Sequence, residues 1–106
     1  MYYVAGNTFV TGYIDTQSIQ EFHLIRPSKI EGDEPCYITK NFDGLKTTSH
    51  HASLYEVKET DIGYILTRVQ HRCISPRQIT LHKFSKLWNY LQRSIQYAEA
   101  NNKFYD

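Results

Sequence analysis

Between residues 62 and 98 the chain contains no aspartate and no glutamate. Those thirty-seven residues carry Arg68, Arg72, Arg77, Lys83, Lys86 and Arg93, whereas residues 1–61 hold nine acidic side chains against five basic ones. A formal net charge of +1 therefore conceals a bipolar chain. Long apolar runs are also missing. None approaches eighteen residues, and the N-terminus lacks a charged stretch followed by an apolar one, so neither a membrane span nor a signal peptide is expected. The two cysteines, Cys36 and Cys73, lie far apart. Without an export signal they read as two reduced, buried thiols in a cytoplasmic protein, of the producing cell or of a host cell, and not as a disulfide.

Catalytic signatures are equally scarce. The chain has no glycine-rich phosphate loop, no glycine-flanked nucleophilic serine and no paired carboxylates on one face of a clear element. Glu31, Asp33 and Glu34 read as solvating loop charge. His50 and His51 are adjacent, so on an extended chain they point in opposite directions and chelate poorly. His71 and Cys73 share a strand face, but no second pair with ligand spacing accompanies them. We therefore assign no metal, no cofactor and no catalytic residue. A metal-free ribonuclease would need an acid, a base and phosphate-holding cations. His71, Arg68, Arg72, His82 and Tyr90 are of the right types, yet nothing in their spacing forces them together.

What is present is ordinary globular composition, 41% apolar and 22% charged, in a length that suits one domain with its own core. Nine tyrosines against one methionine and four alanines add a bias toward strands and interfaces. The run Tyr2-Tyr3-Val4-Ala5, then Gly6-Asn7, then Thr8-Phe9-Val10-Thr11 predicts a hairpin turning at Gly6-Asn7, with its second strand continuing through Gly12, Tyr13 and Ile14. Asp15-Thr16-Gln17 reads as a turn. Residues 18–26 fit both a helix and a strand, and strand is favoured; Pro27 closes either. Residues 36–42 form a strand ended by Asp43-Gly44, and residues 54–59 another, followed by a turn at Thr60-Asp61-Ile62-Gly63. Residues 64–74 form the longest strand. Ile65, Thr67, Val69, His71 and Cys73 share one face, and Tyr64, Leu66, Arg68, Gln70 and Arg72 the other, read as a basic outer face.

From Thr80 to Ala100 the periodicity is helical. Leu81, Phe84, Leu87, Trp88, Leu91, Ile95 and Ala98 fall within about 60° of one line. Ser75-Pro76-Arg77-Gln78 has the spacing of a capping box with proline at the first helical position, and Thr80 offers a second start. The division is then residues 1–74 mainly strands and residues 76–100 helix. The expected fold is α+β, an antiparallel sheet of five or six strands with one long C-terminal amphipathic helix packed on it. A partly closed barrel plugged by that helix, loosely similar to the pleckstrin-homology architecture, is the alternative.

The helix back carries Lys86, Tyr90, Arg93 and Tyr97 at successive spacings of four, three and four, with His82 beside them and Lys83 at the margin. Cations interleaved with tyrosines are also what a solvated helix back looks like, so this ridge alone does not decide function. If Arg68 and Arg72 join Lys83, Lys86, Tyr90, Arg93 and Tyr97 on one side, they form a basic, aromatic partner-binding surface. A total charge of +1 is low for a dedicated nucleic-acid binder, and a bipolar pattern suits a protein or nucleoprotein partner better. The expected function is a small non-enzymatic, inhibitor-like interaction protein, by analogy with phage accessory, mobile-element or immunity proteins. Nucleic-acid binding through the same surface and the ribonuclease are the alternatives.

Overall fold

The computed structural model describes residues 1–10, 19–26, 35–41, 52–70 and 77–104. Among the described residues six strands precede one helix: β1 (Tyr2–Val10), β2 (Ile19–Leu24), β3 (Ile38–Thr39), β4 (Ser53–Thr60), β5 (Gly63–Gln70), β6 (Gln78–His82) and α1 (Lys86–Asn101). All pairings are antiparallel, in the order β2-β1-β4-β5-β6, with β3 also on β1. The sheet curls into a half-barrel closed on one side by α1, which is the expected α+β class. No helix among the described residues is long and apolar enough to cross a membrane.

Register explains the core. Tyr2, Val57, Leu66 and Ile79 lie in one row across the sheet, flanked by the rows Val4–Tyr55–Arg68 and Glu59–Tyr64–Leu81. The apolar members of these rows pack under Leu91, Ile95 and Ala98 of the helix. Burying side chains of this size stabilises the fold by roughly 1.5–3 kcal/mol each. The opposite sheet face carries a smaller cluster, Ala5 and Leu54 with Tyr3, Ile25 and Tyr37. Residues 18–26 resolve in favour of the strand, with Phe22 and Leu24 buried and His23 exposed between them.

The expected hairpin at Gly6-Asn7 does not form. β1 runs straight through both residues, and neither has the positive φ that such a turn requires. Gly6 is used for space: the ring of Phe22 lies where a Cβ would project, and that ring meets Tyr55 edge-on at 5.3 Å. The strand expected over residues 36–42 shortens to Ile38–Thr39. The Cys36 N–H turns to Ser94 Oγ on the helix, and Thr39 Oγ1 bonds both the N–H and the carbonyl of Asn41, so side chains divert the backbone from a ladder.

The face of β5 is inverted relative to the sequence reading. Tyr64 and Leu66 are buried against the helix, and Arg68 follows them on that inner face beside Tyr55. Ile65 and Thr67 point the other way. A bulge at Val69 then breaks the alternation, so Gln70 pairs with Leu54 and not with its neighbour. The strand-to-helix boundary also moves. Residues 78–82 form β6, with Ile79 and Leu81 alternately buried, and α1 starts ten residues later than the expected 76. Leu81 satisfied a helical and a two-residue period at once, and the cross-strand pairing of Leu81 with Tyr64 and of Ile79 with Leu66 decided for the strand. The cap is Ser85, whose Oγ accepts from the Trp88 N–H at 3.2 Å. At the far end Asn102 adopts the left-handed conformation and its N–H bonds Ala98 O. Turns expected at Asp15-Thr16-Gln17 and Asp43-Gly44, the acidic loop at Glu31, Asp33 and Glu34, the extension through residues 11–14, and the Ser75-Pro76 cap lie outside the described residues.

Candidate interaction corner and an acidic cavity

The link from β6 to α1 is a tight turn, closed by the Ser85 N–H on His82 O at 3.0 Å. Lys83 and Phe84 are its central residues, and the Lys83 N–H donates to Ile62 O at 2.9 Å, fixing the turn to the β4–β5 hairpin. Phe84 has φ 67°, a conformation that turns usually give to glycine or asparagine. The residue is 82% exposed, its ring centroid 5.4 Å from that of Trp88, which in turn lies 6.3 Å from that of Tyr64. Ile62 is exposed as well. His82, Lys83 and Lys86 surround this apolar point and are all exposed.

The structure gathers only part of the basic set foreseen from sequence. Lys83 precedes the helix and Lys86 opens it, both exposed, and exposed Arg93 and Tyr97 lie further along it. Tyr90 leaves the exposed ridge: it is half-buried against the core, with the Arg26 guanidinium 4.9 Å above its ring. Arg68 is half-buried at the opposite end of β5, its N–H bonded to Arg77 O at 2.8 Å. His82 pairs with Gly63 at the other end of the same strand pair, so Arg68 and the Lys83 corner are separated by roughly 17 Å along β5. Arg72, His71, Cys73, His50 and His51 lie outside the described residues. The ribonuclease set is thus dispersed as far as it is described: Arg68 and His82 occupy opposite ends and Tyr90 is packed.

A second feature, on four different elements, had no local sequence signal. Met1, Tyr2, Val57, Glu59, Tyr64, Ile95 and Glu99 line a cavity of about 240 Å³ between the sheet and the last turns of α1. The Tyr2 hydroxyl donates to Glu99 Oε1. That bond, with burial and the Glu99 charge behind it, pushes the Tyr2 phenol from 10.0 up to about 12. Burial raises Tyr64 too, helped by the charges of Glu59 and Glu99. The Tyr2 ring stacks on Phe104 at 5.8 Å, and Lys40 Nζ sits 4.6 Å over the other ring of that pair.

The helix itself is charged against its dipole. Lys86 is its first residue, the first turn holds no acid, Glu99 lies in the last turn, and that turn holds no base. Each misplaced charge costs about 0.3–1 kcal/mol at an exposed terminus. The start of α1 therefore concentrates positive potential at Lys83, Phe84 and Lys86, while its end adds negative potential beside Glu59 and Glu99.

Cys36 is a structural thiol. Burial pushes it up to about 12, against the weaker opposing hydrogen bond from Ser94, which keeps it from acting as a thiolate. Among the described residues no group of three or more histidine, cysteine or acidic side chains could hold a metal. Comparison with protein-family models, with curated proteins and with solved structures returned no match.

Proposed function

We propose that the protein is a small non-enzymatic interaction module that occupies an acidic surface of a protein or nucleoprotein partner through the corner of Lys83, Phe84 and Lys86, continued by Arg93 and Tyr97. One observation carries this reading: Phe84 is almost fully exposed while its backbone sits at φ 67°. Left-handed backbone costs a residue with a Cβ on the order of 1–2 kcal/mol, and an exposed ring recovers little of it by burial. A ring kept in that position between two lysines, at the positive end of a helix, has the make-up of an aromatic interface anchor with charges that select an acidic rim. Inhibitor-like action, as in phage, mobile-element or immunity proteins, and work in the cytoplasm of the producing or host cell complete the proposal by analogy. The free thiol of Cys36 supports a reducing compartment.

The test is capture of partners by the tagged protein from cell lysate, with and without nuclease, using the wild type and Phe84→Asn. A discrete acidic protein that survives nuclease and is lost with the variant supports the proposal, provided the variant melts at or above the wild-type temperature. Nucleic acid recovered alone and released by about 0.5 M salt, as phosphate contacts are, overturns it in favour of nucleic-acid binding. Full retention of the partner by Phe84→Asn removes the anchor.

A further inference from the structure

The cavity beside the last turns of the helix is lined by residues other than Lys83, Phe84 and Lys86, and its lining has a chemical direction. Tyr2 and Tyr64 supply aromatic walls, Met1, Val57 and Ile95 the rest of the apolar lining, and Glu59 and Glu99 carboxylates. Aromatic faces attract cations by their quadrupole, and carboxylates do so by charge. Glu99 lies close enough to act on both phenols and Glu59 on Tyr64, so the two carboxylates give the rim of the site a negative charge. The end of α1 turns its carbonyl dipole toward the same side, and Glu99 adds to that field when the opposite charge would be the ordinary choice. Two carboxylates are few hard oxygens for a calcium-like ion, which takes six to eight. Rings and aliphatic walls beside them favour a cation with a hydrocarbon stem.

We propose that this cavity binds an alkylammonium group, with the ammonium between the Glu59 and Glu99 carboxylates and the Tyr2 and Tyr64 rings, and the alkyl stem against Val57 and Ile95. At about 240 Å³ the space suits one such head group and is smaller than the pockets that take drug-sized ligands. The donor could be a lysine side chain of a partner or a free amine. Both offer the same atoms to the site.

The experiment is a titration of the isotope-labelled protein with n-butylammonium chloride at constant ionic strength, followed by amide shifts. Saturable shifts centred on Tyr2, Val57, Glu59, Tyr64, Ile95 and Glu99, with a Kd on the order of millimolar for so small a ligand, support the proposal when the neutral isostere 1-butanol gives none. Glu59→Gln, at an exposed position that the packing does not use, should weaken binding at least threefold. Combined with Glu99→Gln, which keeps an acceptor for Tyr2, the loss should reach tenfold or more. Equal response to butanol, shifts scattered over acidic residues elsewhere, or unchanged affinity in the folded Glu59→Gln variant each overturn it. Nα-acetyl-lysine methylamide separates the sources: binding equal to butylammonium assigns a lysine side chain, and rejection of the capped residue assigns a free amine. Loss of partner capture by Phe84→Asn leaves these shifts unaltered, so the two readings fail separately.

Discussion

The hydroxyl of Tyr2 donates to Glu99 Oε1, joining the first strand to the last turn of the helix across 97 positions of sequence. The bond fastens the end of α1 to the sheet, beside the row formed by Glu59 and Tyr64. It also ties a phenol to a carboxylate, which gives the molecule a distinct response to alkali.

Because the Tyr2 phenol is raised from 10.0 to about 12 in the folded state, the folded chain holds a proton there that the unfolded chain releases. The associated stability is complete below pH 10 and declines as the pH rises toward 12. Denaturant midpoints measured from pH 8 to 12 should fall over that window and fall less steeply in Tyr2→Phe. Part of the slope should remain, because Tyr64, facing Glu59 and Glu99, is raised as well. At neutral pH Tyr2→Phe should cost about 1 kcal/mol, the usual net worth of one hydrogen bond. An identical alkaline slope in the variant would remove Tyr2 as its source.

Lys86→Glu should separate stability from binding. The substitution places an acid in the first turn of α1, where the dipole favours it, and should raise stability by about 0.3–1 kcal/mol at low salt. Partner capture should fall sharply because the corner loses one of its two lysines. Thermal unfolding at low and high salt checks the first statement, since the gain should shrink with screening. A destabilised variant would contradict the account of the helix start.

Gly63 closes the β4–β5 hairpin at φ 143°, and a Cβ there would run into the carbonyl of Leu81 on β6. Gly63→Ala should therefore cost roughly 2 kcal/mol or more, since both the backbone and the strand spacing oppose it. Equilibrium urea unfolding measures this. Gly6→Ala runs first into the ring of Phe22, with the His23 carbonyl oxygen behind it at 3.1 Å, and pairing it with Phe22→Leu should restore a good part of its loss. Failure of that rescue would place the Gly6 constraint in the backbone.

The α+β class, β4, most of β5, the turn at Thr60-Asp61-Ile62-Gly63 and the buried stripe Leu87, Trp88, Leu91, Ile95 and Ala98 were legible in the sequence. These elements are set by local alternation, by helical periodicity and by turn residues, all of which act within a few positions. The same local rules misplaced a turn at Gly6-Asn7 and a helix start near Ser75 or Thr80. There the deciding energies came from Phe22 packed on Gly6 and from β6 pairing with β5, contacts that no window of neighbouring residues contains. The inner face of β5 was likewise fixed by which side the helix covers.

The candidate sites divide in the same way. Lys86, Arg93 and Tyr97 are exposed along the helix as its fixed spacing predicts, whereas Lys83, expected at the margin of that helix, stands in the turn before it. That Arg68 stands at the other end of the strand pair, that Tyr90 lies under Arg26, and that Phe84 is held outward by a turn depended on how β6 meets α1. The amino-acid order by itself determined a bipolar chain with a strand-rich body and an amphipathic final helix, since charge and periodicity are properties of the chain alone. Only the tertiary structure put Tyr2, Glu59, Tyr64 and Glu99 around one cavity, because the first strand, the β4–β5 hairpin and the end of the helix share a neighbourhood only once the sheet curls beneath the helix.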